Sequence, residues 1–88
     1  MDPMIEKEVE QLAAAVPEIS EEVELAADED ATPEEIEKAK ALAADFLSRY
    51  DDLLKRLGSD DKMEVQRRIG LKVERMKGKL TQLREAPE

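Results

Sequence analysis

Three stretches of this 88-residue chain place apolar side chains at alternating steps of four and three residues. That spacing puts them along one side of an α-helix and identifies each stretch as amphipathic helix. The first is Ile5, Val9, Leu12, Val16, Ile19 and Val23. The second is Ile36, Ala39, Ala43, Phe46, Tyr50, Leu53 and Leu57, widened by Leu47 and Leu54. The third is Ile69, Val73, Met76, Leu80 and Leu83, the a/d seam of a helix that packs along another helix.

The second stretch has the clearest ends. Thr32 can cap, Pro33 suits the first helical position, and Glu35 completes a Thr-x-x-Glu capping box. Gly58 stands where a C′ stop belongs, so the helix is expected over 33–57. Asp45→Arg49, Asp51→Lys55 and Asp52→Arg56 are i,i+4 pairs in the favourable order. Ser59, Asp60 and Asp61 compete to cap the next helix, and Asp61 with Glu64 makes a second box-like pair. That helix is expected over about 61–84, with Pro87 in a frayed end at 87–88. Matched lengths and a loop of a few residues make residues 32–86 an antiparallel αα-hairpin. Folding it at Gly58-Ser59 sets Tyr50 near Ile69, Phe46 near Val73, Ala43 near Met76, Ala39 near Leu80 and Ile36 near Leu83.

Residues 1–31 form an acidic helical segment and linker, and here Pro17 interrupts the seam. A proline costs about 3 kcal/mol inside a helix. Two readings fit: one helix kinked at Pro17, or two short helices, the second starting at Pro17 or the Ser20 cap. The unbroken seam favours the first. The fold class is therefore all-α, a hairpin plus a proline-interrupted N-terminal helical segment. On the second helix Leu42, Phe46 and Leu53 widen the apolar stripe beyond what a two-helix seam uses. The N-terminal segment covers that flank in a three-helix bundle, or a second protomer covers it in an oligomeric bundle.

Charge is unevenly spread. The chain carries net charge -9, but residues 1–31 alone carry -10, residues 32–57 carry -1, and residues 58–88 carry +2. Arg68, Lys72, Arg75 and Lys79 make a basic ribbon beside the third seam, where flanking charges sit in coiled coils. An acidic first helix lying along that ribbon is the simplest use of it. The remaining uses are an acidic protein's docking site or a phosphate contact. The overall charge, the acidic segment and the want of interleaved aromatics argue against nucleic acid.

Most chemistry is excluded by what is absent. The chain has no His, Cys or Trp, which removes disulfides, His/Cys zinc sites and His- or Cys-based nucleophilic catalysis. Carboxylate neighbours such as Asp51-Asp52 and Glu21-Glu22 diverge around a helix rather than converge in a cleft. Asp28-x-Asp30-x-Thr32 opens like an EF-hand loop, but Pro33 stands where glycine is needed and Ala39 where a bidentate Glu belongs. No catalytic, metal or cofactor-binding residue is assigned, and no small-molecule substrate. Leu, Ile, Val and Phe total only 20 residues, so the core is small for a folded domain. No apolar run is long enough to span a membrane, and no signal peptide is visible.

Val65-Gln66-Arg67-Arg68-Ile69 and onward to Leu83 resembles the third helix of MIT-type three-helix modules, which bind short helical motifs. The likeness covers about a quarter of the chain, and the acidic, proline-interrupted first segment departs from that family. The expected function is a non-enzymatic helical protein–protein interaction module in the cytoplasm: an adaptor, a small regulatory subunit or an assembly factor. It would dock on a protein partner or a second copy through a helix face. Candidate contacts are Leu42, Phe46 and Leu53 on the flank, Arg68, Lys72, Arg75 and Lys79 on the ribbon, and Leu71, which shares an outer face with Gly78. The alternative is a regulator whose acidic arm mimics phosphates and occupies a nucleic-acid-binding protein.

Overall fold

The computed structural model describes residues 1–83, and the frayed end expected at 87–88 lies outside them. Helix α1 spans Pro3–Ala26 and α2 spans Pro33–Lys55. A third rod follows, made of α3 (Ser59–Val65), a π-helical turn (Gln66–Gly70) and α4 (Leu71–Leu80). The described residues contain no strand. No helix among them is long and apolar enough to cross a membrane.

Each element begins for a local reason. The Asp2 carboxylate caps α1 by accepting the Met4 N–H at 2.7 Å, with Pro3 in the first turn. Thr32 caps α2 in a full capping box. Its hydroxyl oxygen accepts the Glu35 N–H at 3.2 Å, and the Glu35 carboxylate accepts the Thr32 N–H at 3.4 Å. The third rod departs from expectation. It starts at Ser59 rather than Asp61, and α2 stops at Lys55 rather than residue 57. Gly58 is no left-handed stop: its backbone is extended (φ -73°, ψ 172°), and it is the N-cap of α3. Its carbonyl accepts the Lys62 N–H at 2.9 Å. The connection is too short for a separate stop and start, so one residue ends the turn and opens the next helix. The Glu64 carboxylate accepts from Arg67 and Arg68 and takes no part in a capping box with Asp61.

α1 is one helix that runs through Pro17. Proline cannot donate to the Ala13 carbonyl, so one rung of the ladder is lost. Val16 and Ile19, on either side of Pro17, are both buried and hold the chain to the core across the gap. The π turn answers to a spacing visible in the chain. Val65, Ile69 and Val73 are all buried at successive steps of four. Eight α-helical residues overshoot two full turns by about 80°. A wider i→i+5 turn absorbs that drift and returns Val73 to the face of Val65.

One continuous core unites the three rods. α1 contributes Val9, Leu12, Val16, Ile19, Val23 and Ala26; α2 contributes Ile36, Ala39, Ala43, Phe46, Tyr50 and Leu53; the third rod contributes Val65, Ile69, Val73 and Met76, and Leu83 joins them from beyond its end at Leu80. The Phe46 and Tyr50 rings lie parallel within it, with centroids 6.5 Å apart and planes 8° apart. The Tyr50 hydroxyl lies 3.7 Å from where a Cβ on Gly70 would stand, so ring and glycine meet at the level the hairpin register expects. The molecule measures 43 × 20 × 18 Å, the cross-section of three helices in a triangle rather than a row. This is a three-helix bundle, with α1 in the place the widened stripe of α2 calls for.

Pro17→Ala restores the missing rung and is expected to raise stability by about 1–3 kcal/mol. Gly78→Ala, whose new Cβ meets nothing within 4 Å, adds up to about 1 kcal/mol. Thermal unfolding followed by circular dichroism reads both, at about 4–8 °C per kcal/mol for a domain of this size. A fall in midpoint for Pro17→Ala contradicts the continuous-helix description.

Candidate functional site

Among the described residues four ion pairs cross between rods, and every one takes its carboxylate from α1. Glu8 meets Arg56 and Glu22 meets Lys38, which lays α1 antiparallel to α2. Glu6 meets Arg68 and Glu24 meets Lys79, which lays α1 parallel to the third rod. The strongest geometry is at Arg56, whose two terminal nitrogens donate to the two Glu8 oxygens at 3.2 and 2.5 Å. This fork takes the guanidinium away from Asp52, whose side chain was its expected partner. Arg56 Nε donates instead to the Asp52 backbone carbonyl at 3.4 Å. Asp45 and Arg49 do pair, at 3.2 Å. The Arg56 hydrogen bond holds the Glu8 carboxyl below its ordinary value of 4.5, and the Arg67 hydrogen bond does the same for Glu64.

Two grooves flank α1. The larger, of about 390 Å³, runs between α1 and α2. Leu12, Ala15, Ile19 and Phe46 supply its apolar surface, and Gln11, Asp45, Arg49 and Asp52 its polar one. The Glu8–Arg56 fork lines it too. The smaller, of about 260 Å³, lies between α1 and α4 and is lined by Val16, Pro17, Ser20, Lys72, Arg75, Met76 and Lys79.

The candidate residues separate by burial. Phe46 and Leu53 are 2% and 0% exposed, because α1 packs over α2 and takes both into the common core. They are not open docking residues. Leu42, the third member of that flank, remains 38% exposed. Arg68 and Lys79 on the ribbon pair with α1, as the charge layout anticipates. Lys72 and Arg75 pair with no described residue. Leu71 is 65% exposed. The acidic linker is a turn: the Asp28 carboxylate accepts the Asp30 N–H at 2.9 Å, and Thr32 is spent on its cap. No group of three or more carboxylates among the described residues converges as metal ligands do. The α1/α2 groove left no trace in the local pattern of either helix, since its wall residues Glu8, Gln11 and Ala15 meet α2 only through tertiary packing.

Comparison with known proteins agrees with an all-helical chain. Residues 6–85 match the family described as the Embryogenesis-like protein helical domain. The chain is 35% identical over 86 residues to "Embryogenesis-like protein" of Arabidopsis thaliana. That alignment covers 94% of this chain and 49% of the plant protein, so the chain spans about half the length of this curated relative. No solved structure matches.

The depressed Glu8 carboxyl sets a pH dependence. A carboxylate whose folded value is lowered contributes stability above its unfolded value and loses it as pH falls through the folded one. The melting advantage of the natural chain over Glu8→Gln is therefore expected to be full above about pH 5 and to vanish on acidification below 4.5. Thermal melts across pH 2–7 check this, and a gap independent of pH contradicts the fork.

Proposed function

The chain belongs to the Embryogenesis-like protein helical domain family, and on that premise we propose that it is a non-enzymatic helical interaction module that seats an amphipathic helix of a partner protein. The observation that carries this reading is the α1/α2 groove. Its apolar lining, the half-buried Ala15 beside the nearly buried Leu12 and Ile19, lies among charged residues of both signs. From Glu8 to Ile19 it covers twelve residues of α1, about 16 Å or three helical turns. That length suits a short helix presenting apolar residues at i, i+3/i+4 and i+7. Leu42, four residues before Phe46 on α2 and 38% exposed, stands on the same side of that helix, nearer the 27–32 connection.

The want of His and Cys and the small, shallow grooves favour binding over catalysis. The want of cysteine fits a reducing compartment such as the cytoplasm. The phosphate-mimic alternative has less to draw on, since Glu6, Glu8, Glu22 and Glu24 are engaged by cations of the same chain.

A photo-crosslinking residue at Gln11 in the groove, and another at Ala44 on the exposed side of α2, test the reading in cells. The expected result is a discrete adduct with one protein from Gln11 and none from Ala44. Ala15→Arg, which fills the groove, should abolish the adduct while leaving helicity intact. An adduct that survives Ala15→Arg, or equal adducts from both positions, overturns the assignment.

A further inference from the structure

We propose that Lys72 and Arg75 on α4 are a docking site for a short acidic helix of a partner protein, a second surface that does not rest on the α1/α2 groove. The basic ribbon is neutralised only at its ends, by Glu6 on Arg68 and Glu24 on Lys79. Between them residues 11–17 of α1 carry no acid, reading Gln-Leu-Ala-Ala-Ala-Val-Pro, and Glu8 and Glu22 are spent on Arg56 and Lys38 of the other flank. Val16, Pro17 and Ser20 face the two cations across the smaller groove. On their own helix Glu74 is engaged by Lys77 at 3.5 Å. In a chain with 23 acids, two neighbouring cations without a described partner are a local excess of positive charge.

The surroundings fit a helix better than a polyanion. Lys72 and Arg75 are three residues apart on one helix, a spacing of about 5–6 Å that matches carboxylates at i and i+4 of another helix. Leu71, Arg75 and Gly78 stand at i, i+4 and i+7 and form one outward stripe. Leu71 supplies exposed apolar area, and Gly78 has open space where a side chain would be. A helix crossing there approaches α4 closely, since interaxial distance follows the side chains at the contact. The net charge of -9 repels an extended polyanion or an anionic membrane, while a short segment with two or three carboxylates meets mainly the local field.

The test is fluorescence anisotropy of the full chain with a labelled synthetic helical peptide carrying Glu at i and i+4 beside a leucine, at 50 and 200 mM salt. Binding is expected, weaker at the higher salt. It should weaken about tenfold or more in Lys72→Glu/Arg75→Glu, and also in the neutral Lys72→Gln/Arg75→Gln. Neither Lys72 nor Arg75 forms an ion pair with a described residue, so thermal midpoints should stay unchanged. Lys40→Glu on α2, which lines neither groove, should bind normally, and a peptide with Lys in place of Glu should not bind. The proposal is overturned by absent binding, by equal binding to the double variants, or by equal binding of the Lys peptide. Phosphatidylserine vesicles that sediment the chain through Lys72 and Arg75 when the peptide does not bind overturn it in favour of a lipid surface.

Discussion

The apolar stripe of α2 is too wide for one neighbour, and the rest of the structure depends on closing it. The third rod covers the side of α2 that carries Tyr50, and α1 packs over the flank that carries Phe46 and Leu53. With a small complement of large apolar residues, leaving either of these exposed would cost about 1.5–3 kcal/mol of burial. That is a large share of what a core this size supplies. The same closure explains why Pro17 is tolerated, since the buried neighbours Val16 and Ile19 bind the helix to the core on both sides of the lost hydrogen bond.

Electrostatics pin the two ends of α1 rather than supply the stability. Every inter-rod ion pair among the described residues runs from α1, two to each neighbour, near the two ends of the helix. All are at least partly exposed, and exposed pairs contribute about 0–1 kcal/mol each. A reversed α1 would bring Glu24 toward Arg68 and Glu6 toward Lys79, which is not repulsive on its own. The same exchange would set Glu22 toward Arg56 and Glu8 toward Lys38, so the short connection between Ala26 and Pro33, rather than charge, fixes α1 antiparallel to α2. A chain that is acidic in sum is thereby divided into an acidic rod clamped at both ends and a basic stretch left open at its middle. That division, more than the net charge, shapes the surface a partner meets.

The helices were legible because period and caps agree. The Thr32–Glu35 box and the seams of α1 and α2 needed no tertiary information. The misplaced ends of the hairpin have a physical cause: Ser59, Asp60 and Asp61 are all competent caps, and the three-residue connection lets Gly58 serve instead. The π turn had a signal, the repeated step of four from Val65 to Ile69 to Val73, but a seam begun at Ile69 hides it. Of the ribbon, the pairing of Arg68 and Lys79 with an acidic helix was readable from charge. The want of a described partner for Lys72 and Arg75 depended on which α1 residues fall opposite them.

The chain alone determined that three amphipathic helices form, that α2 needs two neighbours, and that His- and Cys-based chemistry is absent. Those properties follow from spacing and residue type, which act within a helical turn or two. Only the tertiary structure decided that α1, rather than a second protomer, takes the open flank. It also decided that Phe46 and Leu53 are lost to the surface, and that grooves lie on either side of α1. These are consequences of which faces meet across tens of residues, and rotation and offset between packed helices are set by the whole core at once rather than by any one segment's pattern.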